Sequence, residues 1–186
     1  MSRFAIAETN LAGLKRVERT PLGDDRGFLT RLFCTVELSA AGWKSPVAQV
    51  NHTLTHTKGA VRGMHFQHPP YAETKLVSCI HGKVLDVAID LRSGSPTFLQ
   101  AHTEEISATN NRALLIPEGF AHGFQALSAD CQLVYVHSKA HAPEAEDGIH
   151  PEDPMLGIDW PLRVTALSPR DRDRPFLSSH FGGLKL

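Results

Sequence analysis

Short alternations of apolar and polar residues recur along the chain, and this period of two is typical of β-strands. VLDVAIDL (84–91) carries an apolar face opposite a face that includes Asp86. QVNHTLT (49–55) and CQLVYVHSK (131–139) alternate in the same way, and turn sequences separate these runs. The pattern therefore predicts an all-β fold of many short strands, either an antiparallel sandwich or a small barrel.

Helical segments are predicted to be few and short. ELSAAG (37–42) and PEAED (143–147) each suit one or two helical turns, and no stretch sustains an apolar period of 3.6 residues. Beyond about residue 150 the chain is rich in Pro and Asp, which predicts an irregular C-terminal extension that wraps the barrel. No linker interrupts the sequence, so residues 1–186 are expected to form a single domain.

Polar residues interrupt the strand pattern in a way that bears on function. By alternation, Gln49, Asn51, Asp86 and Tyr135 would point the same way from three strands. Two interpretations are open: a solvated sheet face, which is common in antiparallel sheets, or a barrel mouth that holds a polar ligand. Alternation alone favours the solvated face.

The charge balance excludes several classes of function. Lys and Arg number 19 and Asp and Glu number 20, a net charge of −1, so no basic excess indicates nucleic acid. The apolar runs are too short to span a bilayer, and the N-terminus lacks the apolar core of a secretion signal. The three cysteines, Cys34, Cys79 and Cys131, form no CxxC pair. We therefore expect a cytoplasmic protein with no nucleic-acid or membrane partner.

A metal site of the cupin type would need two histidines and a carboxylate at suitable spacing. PEGFAH (117–122) supplies the second half of such a motif, which ends in His122. In the first half, Gln67 stands where a second histidine is needed, and Glu73 is offset from the carboxylate position. Gln is a poor ligand for Zn or Fe. No metal is expected, and His65 then has another role.

The chain resembles the dTDP-4-dehydrorhamnose 3,5-epimerases in a series of motifs that stand in the same order, from about Asp25 to Asp171. These motifs are GAVRGMHFQHPP, KLVSCIHGKVLDVAIDLRSGSPTF, LLIPEGFAHGF, EDG, DPMLGIDWP and LSPRD. The resemblance implies a double-stranded β-helix barrel (jelly-roll, cupin-like) and a homodimer that works without metal or organic cofactor. It also implies a nucleotide-linked 4-keto-6-deoxyhexose as the substrate.

The same resemblance assigns roles to residues. It makes His65 the base, held by Asp171, with Lys75 on the carbonyl side of the substrate and Tyr135 as the acid. It places around the nucleotide or sugar Arg26, Phe28, Arg31, Gln49, Asn51, Arg62, His122, Asp86, His141, Glu146 and Arg170. The remaining histidines are expected at the surface or in loops: His52, His56, His68, His81, His102, His137, His150 and His180.

These residue types suit epimerisation next to a ketone. A ketone at C4 acidifies the hydrogens on C3 and C5, and a neutral histidine with a pKa near ~6.5 can remove such a proton at neutral pH. A carboxylate behind the ring fixes its tautomer, and a lysine stabilises the enolate oxygen. Arg62 and His65 are three residues apart, so a flat strand would separate them. Gly63 predicts a bulge that turns both towards the pocket.

Two positions depart from the family pattern. Arg31 stands where the family has a glutamate that accepts from thymine N3–H, and an arginine can only donate. This predicts a base other than thymine, such as the cytosine of a CDP-linked sugar. His141 stands in place of a second pocket tyrosine, which opens inversion at C5 alone or at C3 alone.

Two rival functions remain open at this stage. One is a metal-dependent enzyme on the same barrel, such as an oxygenase or isomerase. The other is a barrel that binds sugars without catalysis. Metal content separates the first from a cofactor-free epimerase, and solvent exchange at C3 and C5 separates the second.

Overall fold

The structure, a computed structural model, describes residues 2–186 and consists almost entirely of β-strands. The strands are β1 (Phe4–Glu8), β2 (Lys15–Arg19), β3 (Leu22–Asp24), β4 (Gly27–Leu29), β5 (Gln49–Thr55), β6 (Val61–Gln67), β7 (Lys75–His81), β8 (Lys83–Asp90), β9 (Ala101–Ser107), β10 (Arg112–Ile116), β11 (Phe120–Ala126), β12 (Cys131–His137) and β13 (Glu146–Gly148). The helices are α1 (Thr35–Ser39) and α2 (Pro169–Arg172), with one 3-10 turn (Pro154–Leu156). Within residues 2–186 no helix has the length and apolarity that crossing a membrane requires.

The strands form two large antiparallel sheets. One has the order β1-β2-β10-β7-β12-β5 and the other β13-β6-β11-β8-β9, while β3 and β4 form a separate hairpin. Most neighbours in the two sheets are not consecutive in sequence, as the pairing of β7 with both β10 and β12 illustrates. This arrangement is the jelly-roll barrel that the family resemblance implied, and the all-β fold that alternation predicted is confirmed.

Apolar side chains from both sheets meet between them in a common core. Val77 and Leu133 of the six-stranded sheet pack with Val84 and Phe124 of the five-stranded sheet. Two further clusters cover the outer faces. Leu38 of α1 and Trp43 pack on the six-stranded sheet, and the C-terminal extension packs on the other through residues such as Leu156, Trp160 and Leu184.

Both faces of strand β8 are covered, one by the C-terminal extension and the other by the opposite sheet. Val87 and Ile89 pack under the extension, and Val84 and Ala88 face the core between the sheets. Asp86 lies on this second face and is fully buried. The predicted alternation of β8 is confirmed, and its partly polar face is the one that points into the barrel.

One of the two predicted helices is wrong. Residues 143–147 form a turn, in which the Ala145 N–H donates to the Ala142 carbonyl, and then enter β13. Glu146 pairs there with Gln67 of β6. Strand pairing with the open edge of β6 satisfies backbone groups that an isolated helical turn would leave exposed, so tertiary context outweighs local propensity.

The bulge predicted at Gly63 is confirmed by the register of β6 against β11. Arg62 pairs with Phe124 and His65 with His122, so β6 contains one residue more than β11 between these pairs. Gly63 has φ +122°, and a Cβ there would lie 2.6 Å from the Gly123 Cα. Only glycine allows the two strands to approach so closely.

Candidate active site

A cavity of about 1020 Å³ is lined by residues of both sheets. His65 (β6) and His122 (β11) come from the five-stranded sheet, while Lys75 (β7), Tyr135 (β12) and Asn51 (β5) come from the six-stranded sheet. Of the four polar positions that alternation grouped, Gln49, Asn51 and Tyr135 therefore line a cavity instead of an open solvated face, and Asp86 is buried next to His122. A concave site with several convergent polar groups is typical of small-molecule binding.

His65 forms a close pair with Asp171 of α2, and the distance from Nε2 to Oδ1 is 2.6 Å. Pro169 opens this short helix and the Ser168 Oγ accepts from the Asp171 N–H, which fixes the carboxyl group beside β6. Burial by itself would raise the pKa of Asp171, but the hydrogen bond and charge of His65 lower it below its ordinary value. An ionised carboxylate only accepts, so the neutral His65 ring carries its proton on Nε2 and its lone pair on Nδ1.

His122 and Asp86 form a second pair deeper in the barrel, with 2.7 Å between Nε2 and Oδ1. The other carboxyl oxygen of Asp86 has no hydrogen-bond partner among residues 2–186. The His122 ring meets the Tyr135 ring edge to face at 5.9 Å between centroids. Burial raises the pKa of Tyr135 well above its ordinary value, and the negative charge of Asp86 adds to the shift. The phenol therefore stays protonated at neutral pH.

Lys75 belongs to a third cluster, which sequence reasoning missed. Its Nζ lies 3.0 Å from Oε1 of Glu73, and Oε2 of the same carboxylate lies 3.1 Å from Nδ1 of His137. The Gln67 amide also donates to Oε2, at 3.3 Å. His137 is therefore a cavity residue, and its expected place at the surface or in a loop is wrong. The signal was present, because alternation along β12 put His137 on the face of Tyr135.

Glu146 joins two of the predicted binding residues at the side of the cavity. Its Oε2 lies 2.8 Å from Nε2 of His141 and 3.0 Å from Nη1 of Arg170. Burial opposes ionisation of Glu146, but the hydrogen bond from His141 and the charge of Arg170 lower its pKa. The His141 N–H donates to Gln49, which links this cluster to β5.

Arg62 completes the polar lining of the cavity. Its Nε donates to the Thr55 Oγ1 at 2.9 Å, and its Nη2 donates to the Leu54 carbonyl at 3.1 Å. Arg62 and Arg170 both line the cavity, so two guanidinium groups are available to an anionic part of a ligand.

Besides Asp86, which is buried next to His122 and does not line the cavity, three predicted binding residues lie outside the cavity of their own chain. Arg26 and Phe28 belong to the β3–β4 hairpin, where the Arg26 side chain is 89% exposed and pairs with Asp24. Phe28 is 72% exposed, an unusual position for a large aromatic side chain. Arg31 forms an ion pair with Glu37 of α1. One chain therefore does not bring these three residues together with His65.

The histidine and carboxylate groups of the cavity form pairs rather than a metal-binding cluster. Across residues 2–186 no three or more His, Cys, Asp or Glu side chains stand close enough together to hold a metal ion. Gln67, which takes the place of a metal-ligating histidine, instead donates to Glu73 and accepts from the Ala142 N–H.

Comparison with known proteins identifies a family. The sequence profile described as dTDP-4-dehydrorhamnose 3,5-epimerase matches residues 8–179. A Pseudomonas aeruginosa protein of that name is 44% identical over 173 residues, which cover 92% of this chain and 92% of the relative.

Solved structures extend this likeness to three dimensions. The dTDP-6-deoxy-D-glucose-3,5-epimerase of Legionella pneumophila, crystallised with dTDP-4-keto-L-rhamnose, has a TM-score of 0.88 at 40% identity over 93% of this chain and 92% of its own. A 3'-monoepimerase from Streptomyces bikiniensis, in complex with dTDP-quinovose, has a TM-score of 0.84 at 36% identity over 90% and 85% of the two chains. The likeness thus includes both a double and a single epimerase.

Proposed function

The chain belongs to the dTDP-4-dehydrorhamnose 3,5-epimerase family and is a sugar-nucleotide epimerase, and we propose that it inverts C3, C5 or both in a dTDP-linked 4-keto-6-deoxyhexose during rhamnose-type deoxysugar synthesis. One observation carries the mechanistic part of this proposal. The His65–Asp171 pair and Tyr135 line one cavity from opposite sheets, so a sugar ring between them would have a base on one side and an acid on the other.

His65 begins the reaction by removing the proton on a carbon next to the ketone. The electron pair left on that carbon delocalises onto the C4 oxygen, which becomes an enolate, and the proton stays on Nδ1 of His65. Asp171 holds the ring by Nε2 and stabilises the imidazolium that forms. The Lys75 ammonium stabilises the enolate oxygen, and loss of such a donor commonly costs ~10² to 10³ in rate.

Tyr135 completes the inversion from the opposite side. The phenol donates its proton to the carbon as the enolate collapses back to the ketone, and a phenolate remains. The raised pKa of Tyr135 keeps the phenol protonated until the carbanion forms. Proton exchange with solvent then returns His65 to its neutral form and Tyr135 to a phenol, which closes the cycle without a cofactor.

Two arginines are suited to the diphosphate of the nucleotide. Arg62 and Arg170 line the cavity and can each grip phosphate oxygens through two N–H groups. Arg26, Phe28 and Arg31 could serve the same substrate only from a neighbouring subunit, so we propose a homodimer in which the β3–β4 hairpin reaches the partner's site. Loss of nucleotide affinity in Arg26→Ala, with the dimer mass unchanged, tests this arrangement.

Solvent isotope exchange tests the reaction. Incubation with dTDP- and CDP-linked 4-keto-6-deoxyglucose in D₂O, followed by NMR, reports deuterium at C3 and C5 separately. Exchange at both carbons supports the double epimerase, and exchange at one carbon restricts the reaction to it, as the replacement of a pocket tyrosine by His141 allows. No exchange with intact nucleotide-sugar binding, unchanged by His65→Ala, would favour a binding barrel. Stoichiometric Fe, Mn or Zn in active protein would favour the metal-dependent rival.

A further inference from the structure

Glu73 is a buried carboxylate that takes no part in the proton transfers of the proposed reaction. It precedes Lys75 by two residues, and only 9% of it is exposed. Each of its oxygens holds a different group of the cavity: Oε1 the Lys75 ammonium at 3.0 Å, and Oε2 the His137 ring at 3.1 Å. Burial opposes its ionisation, but the hydrogen bond from His137 and the charge of Lys75 lower the pKa of Glu73. The carboxylate is therefore charged at neutral pH.

His137 is fixed on both sides and lies against the phenol ring. Its Nδ1 faces Glu73, and its Nε2 lies 3.5 Å from the Asn51 amide nitrogen. The ring stacks on Tyr135 with 5.9 Å between centroids and 15° between planes. The His122 ring meets Tyr135 edge to face at an angle of 71°, so two histidine rings lie against the phenol ring.

We propose that Glu73 is a positioning residue that clamps Lys75 and His137 on its two oxygens and so sets the enolate-stabilising cation and the Tyr135 ring at a fixed separation. The inference rests on the proposed function, since Lys75 and Tyr135 are the groups that it serves. Glu73 itself touches no reacting atom in this scheme. It acts through Lys75 directly and through Tyr135 by way of the stacked His137 ring.

The clamp has a physical reason. A lysine side chain has four flexible bonds, and its charge stabilises the enolate only when held near the developing oxyanion. Burying the ammonium without a partner would also be unfavourable. A misplacement of about 1 Å can lower a rate by ~10². One carboxylate that holds both Lys75 and His137 therefore restricts the motion of the ammonium group and of the imidazole ring at the same time.

Glu73→Gln is the decisive variant, because it keeps the volume and one acceptor oxygen but removes the charge and the second acceptor. We expect the kcat of deuterium exchange to fall about 10- to 100-fold, with KM within about threefold of wild type. His137→Gln, which leaves the Lys75–Glu73 pair in place, should lose about 3- to 10-fold in kcat. The double variant should lose less than the product of the two single losses, because both act on Tyr135 through one contact.

Controls separate positioning from folding and from a failure of the proposed function. Glu144→Gln removes an exposed acid and should behave as wild type. A readout without substrate is the ¹H NMR signal of the His137 Nδ1–H, which is hydrogen-bonded to Glu73 and should shift or vanish in Glu73→Gln. Should Glu73→Gln not fold, His137→Gln decides the kinetic question.

The outcomes that overturn the clamp are distinct from those that overturn the reaction. Kinetics in Glu73→Gln and His137→Gln within threefold of Glu144→Gln, or a raised KM at unchanged kcat, would reject it. So would an unchanged His137 signal in Glu73→Gln. If the wild-type protein exchanges hydrogen at neither C3 nor C5, the proposed function is rejected instead. The His137 Nδ1–H signal would still test the clamp, because its measurement needs no substrate.

Discussion

His65 and Tyr135 face one cavity from opposite sheets of the barrel. His65 lies on β6, backed by a carboxylate at 2.6 Å, and Tyr135 lies on β12 among apolar residues and two histidine rings. The carboxylate of Asp171 fixes the tautomer of the His65 ring and stabilises the imidazolium of the proposed reaction, and burial, which raises the pKa of Tyr135, keeps its phenol protonated. Inversion at one carbon requires a base and an acid on opposite sides of it, which is the arrangement that we propose for these two residues.

Removal of the base should abolish exchange rather than binding. We expect His65→Asn to lower the kcat of deuterium exchange by about 10² to 10⁴ while nucleotide-sugar affinity changes little. Asp171→Asn should follow it closely, because an amide no longer fixes the Nε2–H tautomer. NMR rates in D₂O measure both. The matched control is Asp173→Asn, which alters an exposed acid two residues after Asp171. Wild-type rates in His65→Asn would contradict the assignment of His65 as the base.

Removal of the acid should separate exchange from inversion. In Tyr135→Phe, His65 can still take a proton and return a deuteron to the same side, so exchange should persist while epimerised product falls by about 10² or more. Parallel measurement of deuterium incorporation and product configuration tests this expectation. The other tyrosine, Tyr71, is 41% exposed and provides the control variant Tyr71→Phe. Equal losses of exchange and inversion in Tyr135→Phe would argue against a phenol acid.

Low pH should destabilise the fold, in part through protonation of Asp90. Burial alone would raise the pKa of Asp90, but hydrogen bonds from Arg92, Ser95 and Thr97 lower it to about 2. An unfolded aspartate has a pKa of ~3.9, so this contribution is fully present above about pH 5 and is lost as pH falls towards 2. We expect about 1 to 2 kcal/mol, measured as the extra fall in the free energy of unfolding between pH 6 and pH 2.5.

The variant Asp90→Asn isolates this effect. Its unfolding free energy should be lower at pH 6 and should change less with pH than that of wild type, because the replaced side chain has no proton to gain. Asp173→Asn serves again as an exposed control. An identical pH dependence in wild type and Asp90→Asn would show that the Asp90–Arg92 pair contributes nothing to acid sensitivity.

Arg31 should weaken the preference for thymine. A guanidinium cannot accept the thymine N3–H, whereas it can donate to the acceptors of cytosine. We therefore expect dTDP and CDP to bind within tenfold of each other, as measured by calorimetry, and Arg31→Glu to shift the ratio towards dTDP. A wild-type preference for dTDP above tenfold would reject the idea, and the ion pair between Arg31 and Glu37 would then be its main role.

Alternation and turn residues predicted much of the fold. The strands that contain Asp86 and Tyr135 follow from the alternating direction of their side chains. The bulge at Gly63 follows from backbone sterics. Both causes act within a few neighbouring residues. The helix expected at residues 143–147 failed because the open edge of β6 offered a strand partner there. Local pattern has no access to a partner that lies far away in sequence.

The sequence by itself determined that strands would form, which residues of each strand share a face, and which family motifs stand in order. It did not decide which buried charges meet. Glu73 and His137 are 64 residues apart, and only the pairing of β7 with β12 brings the His137 ring to the Glu73 carboxylate. The same folding leaves Arg26 and Arg31 outside the cavity of their own chain. Side-chain direction is a local property of the backbone, whereas the pairing of charges depends on contacts that exist only once strands distant in sequence have paired.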